Sequence, residues 1–338
     1  MSEVMKALVV GGTGVVSTAV VQQLLARGVQ VSVFNRGLRS VSVGDGVRLI
    51  RGDRSDVSAF VRTFERERFD VVYDMICYTA EDAQASARAF AGRCEQLVLC
   101  SSAVVYGAKL PSSVLIDEDT PLAPTSHWGK SKVACEQTLL RAADDGAFRL
   151  TIARLGHTYG PGDFMNDQQE NDGLAWDRVV KGLPVFCTGD GLGLWQSTHR
   201  DDAGKFFAFA ALAPRTYGQA FNVMRDQVLT WRDYYREVAR ALDTHAKLLF
   251  VPASWLIAQE PERFSFLAEV SQFHAAFSSA KAKAAVPEFR ASIELEAGAR
   301  ETFADIRRRG AWADSASDTA YQTLVNRASS LGFCVETA

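Results

Sequence analysis

The stretch Ala7-Leu8-Val9-Val10-Gly11-Gly12-Thr13-Gly14-Val15-Val16-Ser17 decides how this chain is read. Its four apolar residues suit a strand buried on both faces, and Val15 to Arg27 follows with Ala19, Val20, Leu24 and Leu25 at helical spacing. The glycines between place Gly11 and Gly14 at a turn where backbone must approach a pyrophosphate that side chains would block. The helix amino terminus then offers unpaired N–H groups and the positive end of its dipole to that anion. Gly11, Thr13, Gly14, Val15 and Val16 are therefore candidate contacts of a dinucleotide. Ser17 takes the place of a third glycine, where close helix–strand packing needs a small residue.

Outward from this turn the rhythm of strand and helix repeats. Val31 to Phe34, Arg48 to Ile50, Val71 to Ile76, Gln96 to Cys100 and Leu150 to Ala153 read as strands, and Ala80 to Ala91 as a helix. Near-continuous apolar strands joined by helices predict a parallel sheet covered on both faces, a doubly wound α/β domain of the Rossmann type. After Gly160-Pro161-Gly162 come a polar loop, a helix near Gly173 to Lys181, a run Pro184 to Cys187 and a turn Gly189-Asp190-Gly191. Helices are expected over Arg200 to Leu212, Trp231 to Leu242 and several segments after Pro252, with brief strands near Phe221 to Val223 and Leu248 to Phe250. The expected division is residues 1–160, rejoined by a segment near 200–225, as the dinucleotide domain, and 161–338 as a smaller mixed α/β lobe holding the substrate.

Beyond the second strand an NAD site would carry an Asp or Glu for the ribose hydroxyls, whereas this chain reads Phe34-Asn35-Arg36-Gly37, with Arg39 close behind. Arginine there suits a 2′-phosphate, so Asn35 and Arg36 point to NADP(H) in preference to NAD(H). Asp53 and Arg54, after the third strand, are expected beside the adenine. The 338 residues are 47% hydrophobic, enough for one large domain or a core domain with a lobe. Lys+Arg 37 against Asp+Glu 40 leaves −3, without the basic excess a nucleic-acid partner needs. Six scattered cysteines, with no C-x-x-C pair and no histidine at zinc spacing, predict free thiols in a reducing cytosol and no metal. MSEVMKALVVGG lacks a signal-peptide pattern and no apolar run reaches membrane length, so a cytoplasmic protein without a membrane partner is expected.

Gly11 to Ser17, Ser101-Ser102-Ala103-Val104-Val105-Tyr106-Gly107, Trp128-Gly129-Lys130-Ser131-Lys132 with Glu136, and His157-Thr158-Tyr159-Gly160-Pro161-Gly162 stand together in an informative order and spacing. Over residues 5–225 the chain resembles the extended short-chain dehydrogenase/reductase family, the NAD(P)-dependent epimerase/dehydratase group, with a weaker echo at Ser279-Ala280-Lys281 and Pro287-Glu288-Phe289. Val33 to Gly37 and Arg51-Gly52-Asp53-Arg54 are similar to a divergent branch that includes chloroplast RNA-associated relatives and many bacterial proteins. The resemblance implies a tyrosine and a lysine one turn apart on a helix face, the tyrosine moving the substrate proton and the lysine tuning it and holding the nicotinamide ribose. It also implies a serine after the fifth strand, hydrogen-bonded to the reacting oxygen. Ser102 and Lys132 fall at the matching positions, but the tyrosine position is Trp128, whose indole N–H donates and cannot act as acid or base near neutral pH.

The resemblance therefore implies an NADP(H)-dependent oxidoreductase acting on a carbonyl or hydroxyl of a small organic substrate by a tyrosine-independent relay. The proton would come from water on Lys132 and Ser102, from Tyr106, Tyr159 or His157, or from the substrate itself. Two alternatives stand beside it: a non-redox isomerase, cyclase, dehydratase or sugar-nucleotide epimerase-like enzyme, and a nucleotide-sensing binding protein without catalysis. His157 stands where relatives commonly carry Asn or His and is a candidate contact of nicotinamide or substrate, or a strand-end hydrogen bonder. Trp195, Gln196 and His199 lie where relatives pass the chain over the substrate pocket, ahead of the helix start at Asp201-Asp202. With Tyr78 and Val104, Trp195 and His199 join Ser102, Trp128 and His157 as candidate substrate contacts. The aromatic stretch Trp255 to Phe277 reads as core or as a roof for an apolar or aromatic substrate, and a homodimer is the expected assembly.

Overall fold

The computed structural model describes residues 4–38, 46–108, 115–169 and 172–338; Arg39 lies outside them. In chain order the strands are β1 (Lys6–Val10), β2 (Gln30–Asn35), β3 (Arg48–Arg51), β4 (Phe69–Asp74), β5 (Cys94–Ser102) and β6 (Arg149–Leu155). They continue as β7 (His157–Tyr159), β8 (Pro184–Thr188), β9 (Leu194–Trp195), β10 (Ser197–His199), β11 (Gln219–Val223), β12 (Leu229–Thr230), β13 (Lys247–Val251) and β14 (Val335–Thr337). The helices that concern the site are α1 (Val15–Ala26), α2 (Val57–Thr63), α3 (Ala80–Phe90), α4 (His127–Asp144), α5 (Leu174–Val180) and α6 (Arg200–Ala210). Seven strands form one parallel sheet in the order β11-β6-β5-β4-β1-β2-β3. A smaller sheet, β14-β13-β8, anchors the C-terminal lobe, with β13 parallel to β8 and antiparallel to β14.

Alternation along the strands explains why both faces of the large sheet are covered. Ala7, Val9, Val31, Val33, Val71, Tyr73 and Val98 point into a core with α1 and α6, while Leu8, Val10, Phe34, Val72, Leu97 and Leu99 point into another with α2, α3 and α4. Each fully buried Val, Leu or Phe adds roughly 1.5–3 kcal/mol to the drive for burial. Helices α1 and α6 meet at small residues: a Cβ on Gly204 would stand 2.9 Å from the Ala19 methyl, so the backbones approach only because it is missing.

The sequence reading had no counterpart for α2, since seven residues are too few to show a period against their flanks. What holds it is tertiary. Asp56 caps it through the Ala59 N–H, and Phe60 and Phe64 enter an aromatic cluster with Phe34 and Phe90 at ring separations of 5.0–6.0 Å.

Arg54, just before α2, is buried, and its guanidinium grips both oxygens of Asp74 at the end of β4 (2.8 and 2.9 Å). It also donates to Ser86 Oγ and the Asp82 carbonyl and packs over Phe60. This brace ties the loop after β3 to β4 and α3, beneath the place where the sequence reading set Arg54 beside an adenine. Removing one partner of a buried pair leaves an uncompensated charge. Asp74→Ala is expected to lower stability by roughly 3–5 kcal/mol, read as a fall in the urea midpoint; a loss within a few tenths would show that the pair adds nothing to the fold.

Candidate active site

The chain leaves β1 through Gly11 at φ +85°, a conformation side chains rarely adopt, and a Cβ there would lie 2.4 Å from Ile76. One residue on, a Cβ on Gly12 would stand 2.6 Å from Val33. Helix α1 then starts at Gly14 with no side chain capping it, which leaves its first N–H groups facing outward. They open into a groove of about 680 Å³ lined by Gly11, Thr13, Gly14, Val15 and Val16 at one end, and by Asn35, Arg36, Asp53 and Arg54 along its side. A cradle that a methyl group would fill, at an uncapped helix terminus, fits the pyrophosphate of a dinucleotide.

At the adenosine side, Asn35 Oδ1 accepts from the Gly37 N–H (2.8 Å), which turns the chain and sets Arg36 exposed on the rim. Arg51, across the β2–β3 pairing from Asn35, packs beneath Gly37 and puts a second guanidinium at this rim. The sequence reading passed over it; its signal is the strand register, which needs the third strand in place. Asp53 accepts from the Ser55 N–H and hydroxyl (2.9 and 2.8 Å), and these bonds, with the Arg36 charge, hold its carboxyl below the usual range.

Lys132 and Trp128 are placed by the start of α4. Ser126 Oγ caps it by accepting from the Gly129 N–H (3.0 Å), and Gly129 lies so close to the Val104 carbonyl that a Cβ would approach it to 2.7 Å. One turn on, Lys132 is buried, and its Nζ donates to the carbonyls of Cys77 (2.8 Å) and Cys100 (2.9 Å), just beyond β4 and within β5. The rings of Trp128 and Tyr78 flank the ammonium at 5.1 and 5.2 Å and face each other at 5.3 Å. Tyr78 is itself set by the capping box of α3, where Asp82 accepts from the Tyr78 and Thr79 N–H groups. Burial pushes the Tyr78 phenol above its ordinary value.

Ser102 ends β5, partly exposed, with the Val104 N–H 3.5 Å from its hydroxyl oxygen. Behind it Ser101 donates to Glu136 (2.6 Å), Glu136 takes a two-point grip from Arg154, and Arg154 reaches Tyr106, which donates to Asn222. That network employs Tyr106, and burial pushes its phenol up to about 12.

Ser102, Val104, Trp128, His157 and Trp195 line a second cavity of about 530 Å³, which shares Leu155, Thr158 and Asp163 with the dinucleotide groove. Its roof is a π-helical turn, Leu267–Ser271, in which the Gln272 N–H reaches back to the Leu267 carbonyl (3.2 Å). Phe266, Phe273 and Phe277 face the cavity from this segment, whereas Phe264, Leu267 and Trp255 pack in the lobe core. Gln196 pins the roof through both directions of a hydrogen-bonded pair with the Phe277 backbone.

His199 does not line this cavity. It caps α6 by accepting from the Asp201 N–H and lies edge-on to Tyr159, whose hydroxyl is buried, so neither reaches the place the sequence reading gave to His199. His157 does reach it: the β7–β10 register sets its Nδ1 2.7 Å from Ser197 Oγ, and its Nε2 has no partner among the described residues.

A parallel α/β sheet with a glycine cradle at the end of its first strand, opening into a groove beside a cavity, is the architecture of a nicotinamide-dependent enzyme. The NAD dependent epimerase/dehydratase family matches residues 7–223, and the chain belongs to that family. It is 33% identical over 275 residues to the 2'-dehydrokanamycin reductase of Streptomyces kanamyceticus, covering 81% of this chain and 77% of that protein. It is 26% identical over 251 residues to the chloroplast stem-loop binding protein of 41 kDa b of Arabidopsis thaliana, covering 70% and 63%. Among solved structures it resembles the dTDP-glucose 4,6-dehydratase of Bacillus anthracis in complex with NAD, with a TM-score of 0.72 at 17% identity over 91% of this chain and 98% of that one.

Burial pushes the His157 imidazole down to about 3, against ~6.5 in an unfolded chain. Between those values the unfolded state binds more protons, so the stability linked to His157 is complete above about pH 6.5 and is lost as the pH falls toward 3. His157→Gln is expected to flatten the fall of the urea midpoint across that window. An unchanged profile would show that the imidazole titrates alike in both states.

Proposed function

We propose that the chain is an NADP(H)-dependent ketone reductase that works without the family's tyrosine. The observation that carries the reading is the junction of groove and cavity, where Ser102 opens into the cavity and Lys132 is fixed beside it. A dinucleotide laid along the groove supplies the hydride when bound. Lys132 has two of its three N–H bonds spent on carbonyls, which leaves one for a ribose hydroxyl. Ser102 donates to the carbonyl oxygen and strengthens that bond as negative charge develops on it. Arg36, with Arg51 beside it, meets the 2′-phosphate, while Asp53 takes the adenine edge.

The proton that completes the alcohol comes from solvent through the Ser102 hydroxyl. Tyr106 is committed to Arg154 and Asn222, Tyr159 is buried beside His199, and His157 is neutral near pH 7 and has no spare proton to give. Trp128 covers the lysine and walls the cavity, with no part in proton transfer. The relative named for reducing 2'-dehydrokanamycin supports ketone reduction, and the formal charge of −3 speaks against a nucleic-acid role like that in the chloroplast protein's name.

NADPH deuterated at C4 of the nicotinamide, incubated with a panel of keto sugars, is expected to leave deuterium on the carbinol carbon of the product. Ser102→Ala is expected to lower kcat by about ten- to a thousandfold with cofactor affinity unchanged. Turnover that leaves no deuterium in the product would replace this reading with the isomerase or epimerase alternative.

Cofactor choice has its own test. Calorimetry is expected to give tighter binding of NADP(H) than of NAD(H), and Arg36→Ala to erase most of the difference, about 1.5–3 kcal/mol for a charged hydrogen bond. Equal affinities in the unaltered protein would remove the preference.

A further inference from the structure

The wall of the 530 Å³ cavity carries an asymmetric set of polar groups. Its carboxylates are Asp163 and Glu269, and among the described residues no lysine or arginine lines it. Glu269 stands exposed on the π-helical roof. A nucleoside diphosphate would bring its negative charges against two carboxylates with no cation to meet them. The reverse charge is complementary.

Deeper in, Trp195 is only 4% exposed and stacks on Trp231 at 4.5 Å, yet its indole N–H has no hydrogen-bond partner among the described residues. His157 Nε2 is likewise unpartnered, and the two rings are 5.7 Å apart. A buried polar atom left without a partner is costly, so this wall suits a hydroxyl-bearing ligand, which can donate or accept. Ser102, Ser126, Thr158, Asn166 and Ser265 add neutral polar groups around the wall, and the aromatic rings offer flat faces for C–H groups. The sequence reading took the aromatic stretch as core or as a roof for an apolar or aromatic substrate; with the carboxylates and unpartnered polar atoms beside them the rings suit the C–H face of a sugar-like ring.

Resting on the reductase reading, we propose that this cavity selects a hydroxyl-rich ketone bearing a protonated amine, of the amino-sugar or aminocyclitol type. A ring hydroxyl lies against the wall formed by Trp195 and His157, and the ammonium group faces Glu269 and Asp163.

The test is binding, not turnover, so it stays separate from the deuterium experiment. The NADP⁺-loaded protein is titrated calorimetrically with neamine, with its fully N-acetylated derivative and with UDP-glucose. Neamine is expected to bind at least about tenfold more tightly than either of the others, and to weaken as salt rises from about 50 to about 500 mM. Glu269→Gln, on the exposed roof, is expected to weaken neamine about fivefold and to leave NADP⁺ affinity unchanged; Asp163→Asn, at a residue shared with the dinucleotide groove, is expected to weaken neamine too, with its NADP⁺ affinity measured alongside. Tighter binding of UDP-glucose, equal binding of the acetylated derivative, no binding of neamine, or indifference to both carboxylate substitutions would each overturn the proposal. Deuterium transfer to a neutral keto sugar alongside any of these results would leave the reductase standing and remove only its substrate class.

Discussion

The ammonium group of Lys132 is the point on which the site depends. It is caught between the carbonyls of Cys77 and Cys100, so one side chain from α4 ties the chain beyond β4 to the last turns of β5. Burying a cation there is tolerable because two carbonyl dipoles and two aromatic faces replace the water it loses. The same contacts fix where Tyr78 and Trp128 can lie, and hence the partition between groove and cavity. Ser102 stands two residues beyond one of those carbonyls, so the clamp that holds the lysine also fixes the serine at the cavity wall.

Trp128 changes the character of this junction. A phenol at that place would present a titratable oxygen to the lysine, whereas the indole presents a π face and shields the ammonium on its outer side. Trp128 thus leaves the ammonium enclosed between two rings and two carbonyls, while the Ser102 hydroxyl stays partly exposed nearby.

The glycine turn and the alternation of strands and helices around it were legible because each depends on the pattern of neighbouring residues. Gly11 and Gly14 announce their task by lacking side chains, and the shift from β-rich runs to helical spacing marks the elements either side. The buried side of Arg54 was not legible: its partner Asp74 is twenty residues away, and nothing in Arg51-Gly52-Asp53-Arg54 shows that a residue lining the groove is also a brace to β4. For His199 the fold decides: Trp195 and Gln196 line the cavity, and a few residues on the chain has reached α6, whose start His199 caps. Glu269 sits in a stretch whose aromatic spacing looks like ordinary core, and only the π-helical turn shows which residues leave that core to face the cavity.

The return of β11 to the sheet edge beyond β6 bears on how such a chain can acquire new substrates. Recombination at the codon for Gly160 would carry away the C-terminal lobe, but it would also strip β11 and α6 from the nucleotide half and lay open Ala19, Tyr73 and Ala153. The two halves are interleaved in the gene though separate in the sheets, so neither can be inherited as an intact cassette. New specificity must then accumulate by replacement within segments that reach the cavity, such as residues 163–166, 195–196 and 265–277, while the crossings between the halves stay fixed.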